Sequence, residues 1–314
     1  MKEKKQPILS ICIPTWNRWY ALQHTLKSII DQDDFKSWNV EIIISDNAST
    51  DETEIEIKKL CQRYRNIRYF RNEKWIKSNA NINKVISLWE WEYLRLLGSD
   101  SIIINDWIKE TIKIIKSKKP DIIYYNREQD HKVYFNKELE EYDRDNNLYS
   151  FKSQNAFLEF LWNLHKYDKR NFRYAEKNFT FISVRCISKN FYNSIIHKIY
   201  LKFKNIDSNS FSQTIIFYFE DVRNYIVAFT KPHIERYHTN KAWYFVSLKI
   251  LKDLFNLYYF IKKKYDGLSF IIVFKSISLW ILRFLYWLFY RFLQIFWLEK
   301  CFKVFMLKIF KKYR

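Results

Sequence analysis

The sequence predicts an α/β fold, a mostly parallel sheet flanked by helices, followed by a C-terminal amphipathic helical region. Three observations lead there. Short β-branched runs alternate with segments of helical apolar spacing through roughly residues 1–125. Pro14, Asp46 and Asp100 all stand at predicted strand ends, where α/β sheets gather ligands. From residue 241 onward the chain carries 15 Lys and Arg against 3 Asp and Glu, a net +12, among densely packed aromatics.

The elements follow in order. "ILSICIP" is a short run stopped by Pro14, as a buried strand should be. "RWYALQHTLKSIIDQ" places Leu22, Leu26, Ile29 and Ile30 at helical spacing. "VEIIISD" is a second strand ending in Asp46. "STDETEIEIKKLCQRY" opens with Ser49, Thr50 and three acids, which suit a capped helix start and its positive dipole end. "NIRYFRN" reads as a strand, "NANINKVISLWEW" as a helix and "EYLRLLGSD" as a fourth strand. "DWIKETIKIIKSKKPDIIYYNRE" predicts a helix, a turn at Pro120 and a strand. Residues 127–150 are polar and read as a long loop, and 151–240 mix short helices and strands. The expected division is 1–240 as one domain, with a binding half 1–125 and an acceptor half 126–240, and 241–314 as a tail.

Composition narrows the class. Hydrophobic residues make up 48% and aromatics 20% of 314 residues, enough for a sizeable core, which excludes a disordered chain. Only 2 Gly and 4 Pro occur, against usual levels of about 7% and 5%. An absent glycine is therefore read first as compositional bias of an AT-rich genome. Cys12, Cys61, Cys186 and Cys301 form no CxxC pair, which argues against a zinc knuckle. The opening "MKEKKQPILS" leads into a core strand rather than an export signal, so the reducing cytoplasm is the expected compartment.

The successive motifs "LSICIPTWNR", "EIIISDNASTDET", "NANINKVI" and "EYLRLLGSDSII" resemble those of glycosyltransferase family 2, inverting nucleotide-sugar enzymes with the GT-A (Rossmann-like) fold. The resemblance covers residues 8–125. It implies that Pro14, Thr15, Asn17 and Arg18 form a loop against the nucleotide, and that Asp46 hydrogen-bonds the base. It sets Asn81 close to the nucleotide. Ser99 and Asp100 take the place of the DXD-type motif, with Asp100 touching the ribose and holding Mg²⁺ or Mn²⁺ on the diphosphate. The chemistry agrees: cleaving a sugar–diphosphate bond builds negative charge that a hard divalent ion stabilises, and Mg²⁺ commonly takes only one or two protein carboxylates. The chain departs from the pattern at Gly98, which replaces the motif's first acid, and at Ser101, Lys77 and Trp91.

Inverting transfer needs a base for the acceptor hydroxyl. "FYFEDVRN" offers Asp221, with Glu220 beside it, where the family often carries an acidic pair. His197, His233 and His238 are rivals by their near-neutral pKa.

The tail segment "SISLWILRFLYWLFYRFLQIFWLEK" sets Ser276, Arg283, Arg291 and Gln294 within an arc of about 80° on a helical wheel. A narrow basic stripe on an apolar helix suits a membrane interface, and two central Arg would each cost about 2.5–3.5 kcal/mol in a spanning helix. Lys262–Lys264 and the terminal "KIFKKYR" add attraction for anionic lipid. No nucleic-acid motif is present, and nucleic acid is not an expected partner.

These readings converge on an inverting, metal-dependent glycosyltransferase of bacterial surface polysaccharide or glycoconjugate synthesis. It would lie peripherally on the inner face of the cell membrane, held by residues 270–314. The donor would be a nucleotide-sugar and the acceptor a saccharide or a polyprenyl-diphosphate-linked glycan. The alternative is a catalytically inactive GT-A module that binds nucleotide-sugar or scaffolds a membrane assembly.

Overall fold

Leu9–Thr15 (β1) and Val40–Asp46 (β2) are runs of apolar residues because both of their faces are covered. Every residue of β2 is buried, including Glu41, whose carboxylate accepts from Ser10 Oγ at 2.6 Å and from Arg68 Nη1 at 3.4 Å. The computed structural model describes residues 6–104, 106–127, 142–143, 148–152, 156, 185–202 and 226–236. All of them lie in the compact unit Met1–Trp243.

Between β1 and β2 lie helix α1 (Trp19–Ile30) and a single turn α2 (Asp33–Lys36). Leu22, Leu26, Ile29 and Ile30 of α1 are all buried, as their spacing predicts. Next come α3 (Thr53–Arg63), β3 (Ile67–Arg71), α4 (Ser78–Ser87), β4 (Tyr93–Leu96) and β5 (Ser101–Ile103). They are followed by α5 (Trp107–Lys118) and β6 (Ile122–Arg127). The later described elements are β7 (Tyr142–Asp143), β8 (Leu148–Phe151), β9 (Arg185–Ser188), α6 (Lys189–Lys202) and β10 (Ile226–Arg236).

The strands form one sheet in the order β3–β2–β1–β4–β9–β6–β10–β8–β7, with β5 paired to β10. Strands β3, β2, β1 and β4 are parallel throughout. The expectation of a mostly parallel sheet holds for that half and, beyond it, for the β6–β10 pair alone among the described strands. Strand β9 enters between β4 and β6 and is antiparallel to both, and β10 is antiparallel to β5 and β8. The fold is a mixed α/β, Rossmann-like sheet. Strand β7 and all of β8 but Phe151 lie within the span 127–150 read as a long loop, where they pair with each other.

The core beside α4 gathers Cys12, Ile43, Val85, Ile86, Trp89, Leu94 and Leu96. Strand β4 also buries Arg95 completely, with its guanidinium 3.9 Å from the Tyr125 ring centroid and 5.3 Å from that of Trp107. Two of the family-pattern departures carry no backbone penalty. Lys77 has φ −56°, and Trp91 is not among the residues with positive φ, so neither position requires glycine. Among the described residues no helix is long and apolar enough to cross a membrane. The tail, 241–314, lies outside the described residues.

Candidate active site

Strand β1 runs between β2 and β4, with Pro14 opposite Ser45, Thr15 opposite Asp46 and Cys12 opposite Leu96. Because these strands are parallel, the segments that leave their carboxyl ends share one edge of the sheet. That edge brings together the first loop (Thr15 to Arg18), the second loop (Asp46 to Asp51) and the turn from Gly98 to Ser101.

The first two loops are clasped together. Asn17 takes a left-handed backbone, φ 47°. Its N–H donates to Ser49 Oγ at 2.9 Å, and its Oδ1 accepts the Thr50 N–H at 2.7 Å. Asp51 Oδ2 accepts the Trp19 N–H at 3.0 Å and its Oδ1 the Thr53 N–H at 3.2 Å, so one carboxylate serves the starts of two helices. Burial raises the Asp51 carboxyl, but the hydrogen bonds from Thr53 and Trp19 outweigh it and hold the pKa below the ordinary value. The predicted caps Ser49 and Thr50 are used elsewhere: α3 starts later, and both residues serve the loop.

Asp46 is 0% exposed. Its Oδ1 accepts from the Ser49 N–H at 3.0 Å and from the Ser49 hydroxyl. Its Oδ2 accepts from Tyr69 OH at 2.6 Å and faces Arg71 Nε at 3.7 Å. Arg71 also reaches Glu54 at 2.9 Å and the Ser49 carbonyl at 3.0 Å. Burial, then the hydrogen bond to Asp46 and its charge, push the Tyr69 phenol well above its usual range.

Side-chain amides lock a third segment to the same edge. Asn47 Nδ2 donates to the Ile76 carbonyl at 2.7 Å, and Asn47 Oδ1 accepts the Ile76 N–H at 2.9 Å. Asn72 Nδ2 donates to Asn47 Oδ1 and to Asn81 Oδ1, each at 3.0 Å. Asn81, 3% exposed, accepts from Ser45 Oγ at 2.8 Å and donates to the Ser45 carbonyl at 3.0 Å. Lys84 Nζ closes the chain on Asn72 Oδ1 at 2.6 Å. Trp16 and Trp75, 50% and 53% exposed, meet edge-to-face with centroids 6.2 Å apart.

Ser99 and Asp100 are buried at 6% and 9% exposure, in a turn closed by the Ser101 N–H on the Gly98 carbonyl at 3.1 Å. Arg18 Nη1 donates to Asp100 Oδ2 at 3.4 Å. A Cβ on Gly98 would stand 3.0 Å from Asp100 Oδ1 and 3.1 Å from Ser101 Oγ, so the missing side chain leaves room for the carboxylate. Thr15 Oγ1 is buried at the same edge with no hydrogen-bond partner among the described groups.

Asp100 supplies one hard oxygen donor at the end of the parallel half of the sheet, which fits Mg²⁺ or Mn²⁺ completed by phosphate oxygens and water. Among the described residues no group of three His, Cys, Asp or Glu side chains could hold an ion by protein ligands alone. The structure thus brings Arg18 to Asp100, and Asn17 and Asn81 to the segment around Asp46. Sequence reasoning missed Tyr69, Arg71, Asn47 and Asn72; it placed Asp51 at the α3 start, where it does accept the Thr53 N–H, but not its second bond to Trp19. The basic and aromatic end of "NIRYFRN", directly after Asp46 in strand order, was the available signal for the first two. Glu220, Asp221 and His238 lie outside the described residues, as do the side chains of His197 and His233.

The sequence profile of glycosyl transferase family 2 matches residues 10–191. Over 100 residues the chain is 39% identical to the abequosyltransferase RfbV of Salmonella typhimurium, covering 32% of this chain and 30% of that protein. Over another 100-residue match it is 34% identical to the GalNAc(5)-diNAcBac-PP-undecaprenol beta-1,3-glucosyltransferase of Campylobacter jejuni, covering 32% of this chain and 31% of that protein. The matched region thus spans less than a third of either relative's length. In three dimensions the chain resembles S. aureus TarS 1–349 in complex with UDP-GlcNAc, at a TM-score of 0.56 and 15% identity over 80% of this chain and 65% of that one. It also resembles the mannosyltransferase PcManGT of Pyrobaculum calidifontis in complex with GDP-Man and Mn²⁺. That match has a TM-score of 0.51 and 12% identity, over 84% of this chain and 66% of that one.

Proposed function

Because this chain belongs to glycosyl transferase family 2, we propose that it transfers a sugar, with inversion, from a nucleotide-sugar to a glycan acceptor in bacterial surface polysaccharide or glycoconjugate synthesis. The acceptor is a saccharide carried on a polyprenyl diphosphate, a reading supported by the undecaprenol-linked substrate in the name of the Campylobacter relative. One observation carries the proposal: Thr15, Arg18, Asp46 and Asp100 converge at the carboxyl edge of β2, β1 and β4.

The chain's residues divide the work. Asp46, fully buried with both oxygens held by Ser49 and Tyr69, braces the second loop beside the nucleotide instead of hydrogen-bonding the base itself as the family resemblance implied. Thr15 Oγ1, buried and unsatisfied, offers a polar contact that a ligand would complete. Asp100 would hold Mg²⁺ or Mn²⁺, which when bound supplies Lewis-acid stabilisation to the leaving diphosphate. Asp221, or Glu220 beside it, takes the proton of the acceptor hydroxyl as that oxygen attacks the anomeric carbon from the face opposite the diphosphate. The tail, residues 270–314, holds the enzyme on the inner face of the cell membrane, where a lipid-linked acceptor is presented.

A donor-hydrolysis and binding screen of UDP- and GDP-sugars with Mn²⁺ tests this reading. Turnover by the wild type is expected, with loss of metal-dependent nucleotide binding in Asp100→Ala. Asp221→Asn is expected to keep donor affinity and slow transfer by about 10²-fold or more. Nucleotide binding without turnover of any donor would instead favour an inactive GT-A module.

A further inference from the structure

We propose that Arg18 is the site's resident cation. Before the donor arrives it occupies the Asp100 carboxylate, and on donor binding it transfers to the diphosphate, leaving Asp100 to the divalent ion. This role rests on the nucleotide-sugar reading above and concerns how that site handles its charges.

Four features of the structure carry it. Arg18 Nη1 lies 3.4 Å from Asp100 Oδ2 across 82 residues of sequence, so the pair joins the first loop to the strand-end turn rather than stabilising a local element. The Arg18 side chain is 35% exposed against 13% for Asp100. The cation therefore has solvent on one side and can leave, whereas the carboxylate is set in place. The backbone that carries Arg18 is fixed, because the Asn17 N–H and the Trp19 N–H are held by Ser49 and Asp51. Any exchange is thus a swing of the side chain alone. Gly98 brings no second acid, and the room it leaves is filled by Asp100 itself.

The Arg18–Asp100 contact sets up a competition between cations. A divalent ion at Asp100 and a guanidinium a few ångströms away repel each other, so Arg18 disfavours metal in the empty site. A diphosphate would reverse the preference, because a planar guanidinium matches two phosphate oxygens at once and no longer needs the carboxylate. The metal consequently enters with the donor and not before it.

The test uses the full chain, Mn²⁺ alone, and UDP and GDP in EDTA. By electron paramagnetic resonance, Arg18→Ala is expected to bind Mn²⁺ about 5- to 10-fold more tightly than the wild type without nucleotide, from loss of the neighbouring charge. In EDTA the same variant is expected to bind the nucleoside diphosphate about 10-fold more weakly, with Arg18→Lys, which keeps the charge but not the two-oxygen match, falling between Arg18→Ala and the wild type. Equal Mn²⁺ affinity in the wild type and Arg18→Ala overturns the proposal, as does an unchanged diphosphate affinity in EDTA. A wild type that binds neither UDP nor GDP under any condition sinks the donor-site reading itself, and this proposal with it. The two failures are therefore told apart by the wild-type titration.

Discussion

Asp46 and Asp100 are legible from the chain because each is an acid that ends an apolar run, and strand ends gather ligands in this class of sheet. Their partners are not legible, since Tyr69 and Arg71 reach Asp46 only once β3 pairs with β2. Removing the Tyr69 hydroxyl takes one charge-assisted hydrogen bond from a carboxylate that is fully buried. Tyr69→Phe is expected to lower stability by about 1.5 kcal/mol, read as a shifted urea midpoint with an unchanged slope. Asp51 makes a prediction in pH. Its folded pKa lies below the ordinary value, so its contribution is complete above the unfolded pKa, near 3.9, and is lost as pH falls through the folded pKa. The stability gap between wild type and Asp51→Asn, about 1 kcal/mol at neutral pH because the amide keeps one acceptor oxygen for two N–H groups, should therefore close on acidification from about pH 4 downward. A gap that persists unchanged in acid denaturation curves would show that the carboxylate charge is not what the two N–H groups need.

Helical spacing and β-branched runs located every long element of residues 8–125. Two short ones escaped. The turn α2 is four residues long, and β5 is three residues lying directly behind the motif at Asp100. Neither length gives a period to count. The order of the sheet escaped as well, because β9 is placed by contacts across roughly ninety residues, with Cys186 opposite Arg95. Arg95 shows the limit in one residue: it sits in a core strand as a fully buried cation over two aromatic rings, which local sequence treats as a solvent-facing interruption. Cys186, in the same region, has its thiol pushed up to about 12 by burial, against the opposing pull of Arg95. At the end of α5 the chain places Lys119 in the left-handed region, φ 45°, where glycine is the usual residue. Lys119→Gly is expected to raise stability by up to about 1 kcal/mol, measured by thermal or urea unfolding.

Across the whole molecule, the first half was readable because the candidate site loops there follow strands one by one. The second half was not, since its strands return to the sheet from distant points in the chain. The strongly basic tail belongs to neither half, and its proposed role has a direct check. Deleting residues 270–314 should move the protein from the membrane to the soluble fraction, and a truncated chain that still sediments with membranes refutes the anchor. The loops at the sheet edge carry a different consequence. Asn17 is tied to Thr50, Asn47 to Ile76, and Asn72 to Asn81. An engineer who grafts the middle loop from a relative severs bonds to both of the others, and grafting either outer loop severs its bonds to the middle one. Residues 14–19, 46–51 and 72–81 make a single interchangeable part, and under the proposed function a change of donor means replacing all three at once.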